Sequence, residues 1–336
     1  MSPPPRWLRR KVACVATQAG IRVAEPSEST RVHLWARVLI IGFVAWIAAI
    51  LALLKTRHPT VVPTVILIGS FLMPVTFLTW VFERQRETSA ERRGRLSALS
   101  TGRVALAFAV SGVFGVSIAA VLETFLLANH PGVFYGGVAV IEEMIKMVLI
   151  IIVGRGLPYY LRRDGMVLGA AVGFGFAAFE SAGYAFNTII QAHSVELSMI
   201  VETEAVRGLL TPFGHGLWTA LVGGALFYAA AGNHSRFRIT ANVVGWFAVA
   251  VVLHALWDMA AGISVALTYL VSGQPISFAD VERGRLSDPT QWQAHLDGIF
   301  DSGLLGLCAI VGLWVATLQW RAGRSESERA ESVRSL

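Results

Sequence analysis

Apolar residues run along most of the chain in long unbroken stretches, interrupted at intervals by short polar segments. A stretch of about 18 or more such residues is long enough to cross a bilayer as a helix. Eight qualify, at roughly 34–54, 61–82, 104–127, 132–153, 165–190, 208–230, 241–270 and 302–320. Backbone in hydrocarbon must satisfy its hydrogen bonds internally, through helices or a closed barrel. The stretches are continuous rather than alternating, which selects helices. The fold class expected is therefore an all-α polytopic membrane protein of about eight transmembrane helices.

One stretch breaks the pattern. VAVIEEMIKMVLIIIVG (138–154) carries Glu142, Glu143 and Lys146 in its middle. A single ionisable side chain at mid-bilayer costs about 2.5–3.5 kcal/mol on insertion scales. Three within five residues require a compensating interaction.

Composition agrees with the membrane reading: 54% of the 336 residues are hydrophobic and 15% are charged. The net charge of +6 is distributed by topology. The loop 83–103 holds Arg84, Arg86, Arg92, Arg93, Arg95 and Arg103. The loop 154–164 holds Arg155, Arg162 and Arg163, and the loop 231–240 holds Arg236 and Arg238. The segments 191–207 and 272–301 are acidic. Basic loops stay in the cytoplasm, so eight spans place both termini there, with Lys55 and Arg57 as the misfit. The basic excess thus implies no nucleic acid partner. The first stretch is too long for a cleaved signal and is expected to remain as a span. Cys14 and Cys308 fall too far apart for a disulfide framework. Residues 7–21 suit either a basic amphipathic surface helix or an unstructured tail.

The expected organisation is a cytoplasmic segment (1–33), two accessory spans with a basic loop (34–103), a core (104–270) of which four helices carry the candidate chemistry, and an outer loop, last span and tail (271–336). Deep ionisable residues occur only in that core: Glu142, Glu143, Lys146, Glu180, His215, His254 and Asp258. Glu123 and Arg37 lie near span ends, where they can snorkel to the interface. At a rise of about 1.5 Å per residue, the seven lie about 10–20 Å below the outer boundary. Each alone has a packing or ion-pair explanation; their common depth argues for convergence. Within helices, Glu142 and Glu143 pair with Lys146 at four- and three-residue spacing, and His254 with Asp258 at four. Gly165, Gly169 and Gly173 form a small-residue ridge for close helix packing.

Two neutral imidazoles and a carboxylate make a catalytic zinc donor set with a position left for water. A further carboxylate beside that water can take its proton as it attacks a carbonyl. Glu180, His215 and His254 are the ligands expected, with Glu142 or Glu143 as base and Glu142 slightly favoured. Lys146 balances a carboxylate, and Asp258 orients His254 or the water, or binds directly. Glu, His and Asp within helices also serve ion- or proton-coupled transporters and channels, so that class is the alternative. The HExxH and GxGD patterns of other intramembrane proteases are missing.

Four motifs in order, EEMIK (142–146), FAAFE (176–180), RGLLTPFGHGLWTALVGG (207–224) and HALWD (254–258), resemble EExxK, FxxxE, an R…PxxH stretch and HxxxD. Together they resemble the PrsW family of intramembrane metalloproteases, over roughly 105–265. The resemblance implies cleavage of a membrane-protein substrate, such as an anti-sigma factor, in or beside the bilayer. It points to Glu142, Glu143, Glu180, His215 and His254 as functional, with Lys146 and Asp258 supporting. Ser181 departs from the asparagine common after the FxxxE glutamate. CAAX-prenyl proteases of the same wider group show EExxxR and FxxxH, so Glu180 argues against prenylated substrates.

Overall fold

The computed structural model describes residues 33–91, 97–127, 134–192, 197–233 and 236–332. Segment 7–21 and Cys14 lie outside the described residues. Regular structure among the described residues is helical, with no strand. In order, α1 is Leu34–Thr56 and α2 is Val62–Glu91. Helix α3 (Thr101–Val110) passes through a π-helical turn, Ser111–Gly115, into α4 (Val116–Leu127). Then follow α5 (Phe134–Gly154), α6 (Arg162–Ala192), α7 (Leu197–Leu210), α8 (His215–Ala231), α9 (Ala241–Asp258) and α10 (Ala260–Ser272). A short α11 (Phe278–Arg283) leads to α12 (Gln291–Ser332). Side-chain caps mark several starts: Ser100, Thr240 and Ser277 each accept from the backbone amide three residues on, satisfying a donor that the helix leaves free.

Among the described residues, six helical stretches are long and apolar enough to cross a membrane: Leu34–Thr56, Pro59–Gln85, Thr101–Leu127, Arg162–Ile190, Ala241–Asp258 and Gln291–Gly323. The count differs from eight for physical reasons. Helix α5 has the length but carries the three charges, and α8 is 17 residues, slightly short of a full crossing. The run 241–270 still counts once, shortened to Ala241–Asp258, because the helix breaks at Met259, directly after Asp258. The last helix extends well past 302–320 at both ends, and the acidic segment 191–207 holds most of α7, which runs on to Leu210.

Helix α6 is the axis of the bundle, packed by α2, α3, α5, α7 and α8. Its closest partner is α8, and the glycine ridge explains why. A Cβ at Gly165 would meet the carbonyl oxygen of Gly223 at 2.2 Å, one at Gly169 that of Thr219 at 2.3 Å, and one at Gly173 that of His215 at 2.2 Å. As the ridge index rises by four, the partner index falls by four, so the helices run antiparallel with backbones in contact. A further close approach brings α3 against α6, where a Cβ at Gly175 would meet the Phe108 carbonyl oxygen at 2.1 Å. These contacts seat His215, the first residue of α8, beside the middle of α6.

Candidate metal centre

The three charges of α5 point inward. Glu142, Glu143 and Lys146 are all buried, with Glu143 and Lys146 fully so. Lys146 Nζ donates to Glu142 Oε2 at 3.0 Å and to Glu143 Oε1 at 2.9 Å, as the spacing along the helix allows. It also reaches across to His215 Nδ1 at 2.8 Å, and its ammonium lies 4.1 Å from the Phe176 ring centroid. The compensation that this stretch needs is therefore partly internal and partly supplied by α6 and α8.

His215 enters from a break between helices. The 3-10 turn Thr211–Phe213, begun around Pro212, ends at Gly214, and α8 starts at His215 itself. With Nδ1 accepting from Lys146, the ring proton sits on Nε2 and is donated to Glu180 Oε2 at 3.0 Å. Arg207 of α7 holds the same Glu180 oxygen at 2.8 Å and donates through Nε to Ser181 Oγ at 2.8 Å.

His254, near the end of α9, repeats this arrangement. Its Nδ1 lies 3.1 Å from Glu143 Oε1, while Thr219 donates to Glu143 Oε2 at 3.3 Å. Its Nε2 faces Glu142 Oε2 at 3.7 Å and Asp258 Oδ2 at 3.3 Å. Trp218 stacks on the His254 ring with centroids 4.9 Å apart, and the two imidazoles meet edge to face at 4.8 Å. Each imidazole thus has one nitrogen on a supporting carboxylate, Glu180 or Glu143, and His254 Nε2 also lies against Asp258. The other nitrogen turns toward Glu142, with His215 Nδ1 3.8 Å from Glu142 Oε2.

All seven residues expected from the sequence are brought into one linked cluster. Among the described residues, the group able to hold a metal ion is Glu142, His215 and His254, whose donor atoms lie within 4.8 Å of one another. Glu180 sits one step out, behind His215. Three residues had not been singled out as site residues: Arg207, Trp218 and Thr219. The arginine had a visible sign, since it opens the R…PxxH stretch. Glu123, near a span end, does not simply reach the interface. Its Oε1 is buried without a hydrogen-bond partner among the described residues.

The family model for PrsW intramembrane metalloproteases matches residues 100–279, more than half of the chain and every member of the cluster. The chain belongs to the PrsW family. No curated protein and no solved structure matches it. Membership makes it a membrane-embedded peptidase, and the transporter alternative falls away. A PrsW-family enzyme implies a divalent metal ion, and the donor set suits one. The linked cluster counts four carboxylates, Glu142, Glu143, Glu180 and Asp258, against the two side-chain cations Lys146 and Arg207. A divalent cation would balance that formal excess. A neutral His254 with its proton on Nδ1 would present an Nε2 lone pair to two carboxylates, an arrangement that a second proton or a metal cation between them relieves. Lys146 already places a positive charge against two of the three donors.

Proposed function

We propose that this PrsW-family peptidase cleaves a membrane-protein substrate, such as an anti-sigma factor, at the outer half of the bilayer, using a zinc ion held by Glu142, His215 and His254. The observation that carries this reading is the turning of His215 Nδ1 and His254 Nε2 toward one oxygen of Glu142. The ion, when bound, supplies a Lewis acid for the scissile carbonyl and an acidified water.

The protein's own residues then divide the work. Glu180 and Glu143 each hold one imidazole nitrogen, which sets the tautomer and ring orientation and raises the basicity of the other nitrogen. Lys146 offsets the charge of Glu142 and Glu143, and Phe176 and Trp218 wall the chamber against water. Asp258, a quarter exposed and beside His254 Nε2, is the carboxylate open to an entering peptide. It takes the proton of the attacking water and returns it to the leaving amine. This exchanges roles expected from sequence, where Glu142 was the favoured base and Glu180 a ligand. The positive-inside bias supports cytoplasmic termini and a chamber nearer the outer face.

The test compares membrane and extracellular protein fragments from cells making the wild type, Glu142→Gln and Asp258→Asn. Both variants should reach the membrane in normal amount and fail to release fragments that the wild type releases. Unchanged fragments in both would remove the assignment.

A further inference from the structure

Helix α7 carries two polar contacts, one part-buried and one buried, that point in different directions. Arg207 faces the centre: it grips Glu180 and Ser181, and its guanidinium lies 4.3 Å from the Tyr184 ring centroid. One helical turn earlier, Glu204 faces α2. It is 3% exposed and accepts from Ser70 Oγ at 2.8 Å, while its other oxygen is buried with no hydrogen-bond partner. The place is shaped for this carboxyl group. A Cβ at Gly69 would come within 2.8 Å of Glu204 Oε2 and 2.9 Å of Trp46 Nε1. Around it, Trp46, Ala49, Leu53, Val65 and Ile66 of the accessory pair pack with Ala182, Ala185 and Ile200.

We infer that Arg207 is a positioning residue for the Glu180–His215 pair, and that the accessory helices α1 and α2 set its position by seating Glu204 of α7 on Ser70 and Gly69. Three links connect the parts. Ser70 fixes Glu204, one turn of α7 carries Glu204 to Arg207, and Arg207 holds the Glu180 oxygen that orients His215. Losing the Ser70 bond would leave a buried carboxyl group with no hydrogen-bond partner at all, which is costly, so α7 has a preferred seat. Helices α1 and α2 lie outside the family-matched residues 100–279, so the contact ties the matched core to a part of the chain that the match does not cover. The inference rests on His215 holding the ion as proposed above.

The experiment titrates zinc alone into the full-length protein in detergent, in competition with a chromophoric chelator. It compares the wild type with His215→Ala, Arg207→Ala, Arg207→Lys, Glu204→Ala and the Glu204→Ala/Arg207→Ala pair, each checked for a cooperative thermal transition. Removing a partner behind a metal-holding histidine typically weakens affinity about 10–100-fold. Arg207 stands one link behind that partner, so a loss of about 10-fold, the low end of that range, is expected for Arg207→Ala, with partial recovery in Arg207→Lys. Glu204→Ala should lose less, in the same direction, and should add nothing in the Arg207→Ala background, because it acts through that arginine. Two results would overturn the inference while leaving the metal assignment intact: wild-type affinity in Arg207→Ala when His215→Ala has lost the ion, or fully additive losses in the pair. Wild-type affinity in His215→Ala would sink the metal assignment and this inference together.

Discussion

Gly173→Ala is the sharpest probe of how the fold makes the site. The added Cβ would stand 2.2 Å from the carbonyl oxygen of His215, 2.6 Å from its carbonyl carbon and 2.8 Å from Gly216 Cα, whereas ordinary contact begins at 3.4 Å. All three atoms are backbone, so no side chain can swing aside. Relief requires α8 to move about 1 Å away from α6 at its first residue, the difference between ordinary contact and 2.2 Å, and such overpacking costs about 1–3 kcal/mol. The same shift would stretch the 3.0 Å contact from His215 to Glu180 and the 2.8 Å contact from Lys146 beyond good hydrogen bonds. A misplacement of about 1 Å in catalytic geometry costs on the order of a hundredfold in rate. The control is Gly183→Ala on the same helix, where a Cβ meets nothing within 4 Å. Thermal unfolding in detergent and fragment release in cells would be measured for both. Gly173→Ala should lower the melting temperature and almost abolish release, and Gly183→Ala should match or slightly exceed the wild type in stability. Equal behaviour of the two variants would refute the claim that the ridge positions His215.

Other consequences are as specific. Glu143→Ala strips a fully buried ammonium of one partner and His254 of another, which should cost about 3–5 kcal/mol of stability; denaturant unfolding compared with Glu143→Gln, expected to lose less, checks this. Asp164, fully buried, accepts from Gln85 and from the Ala98 amide. Asp164→Ala should therefore cost about 1–3 kcal/mol and speed proteolysis in the basic 83–103 segment. Removing metal with a chelator should stop fragment release, and added zinc should restore it in the wild type but not in His254→Ala.

The membrane character and the helical class were legible because continuous apolar runs allow no other backbone solution. The polar census was informative for a related reason: an ionisable group in such a run needs a partner, and Lys146 has three. Rotamers were not legible. Spacing puts Glu142 and Glu143 on neighbouring faces of α5, yet only packing against Thr219 and His254 turns Glu143 into a fully buried support and leaves Glu142 toward both imidazoles. The break at Met259 has no glycine or proline to announce it, so 241–270 reads as one span. The glycine ridge was visible as a packing surface, but its link to His215 needed the antiparallel register of α6 and α8. Glu204 lies in an acidic segment that reads as an outer loop, and its burial depends wholly on α2.

The central claim is that Glu142, His215 and His254 together hold one divalent ion. Elemental analysis of the purified full-length protein, set beside His215→Ala and His254→Ala that still unfold cooperatively, tests it most directly. The account predicts about one zinc per chain in the wild type, following the donor set of two imidazoles and a carboxylate, and none retained in either variant. A stoichiometric ion retained by both variants, or no ion in an active wild type, would contradict it.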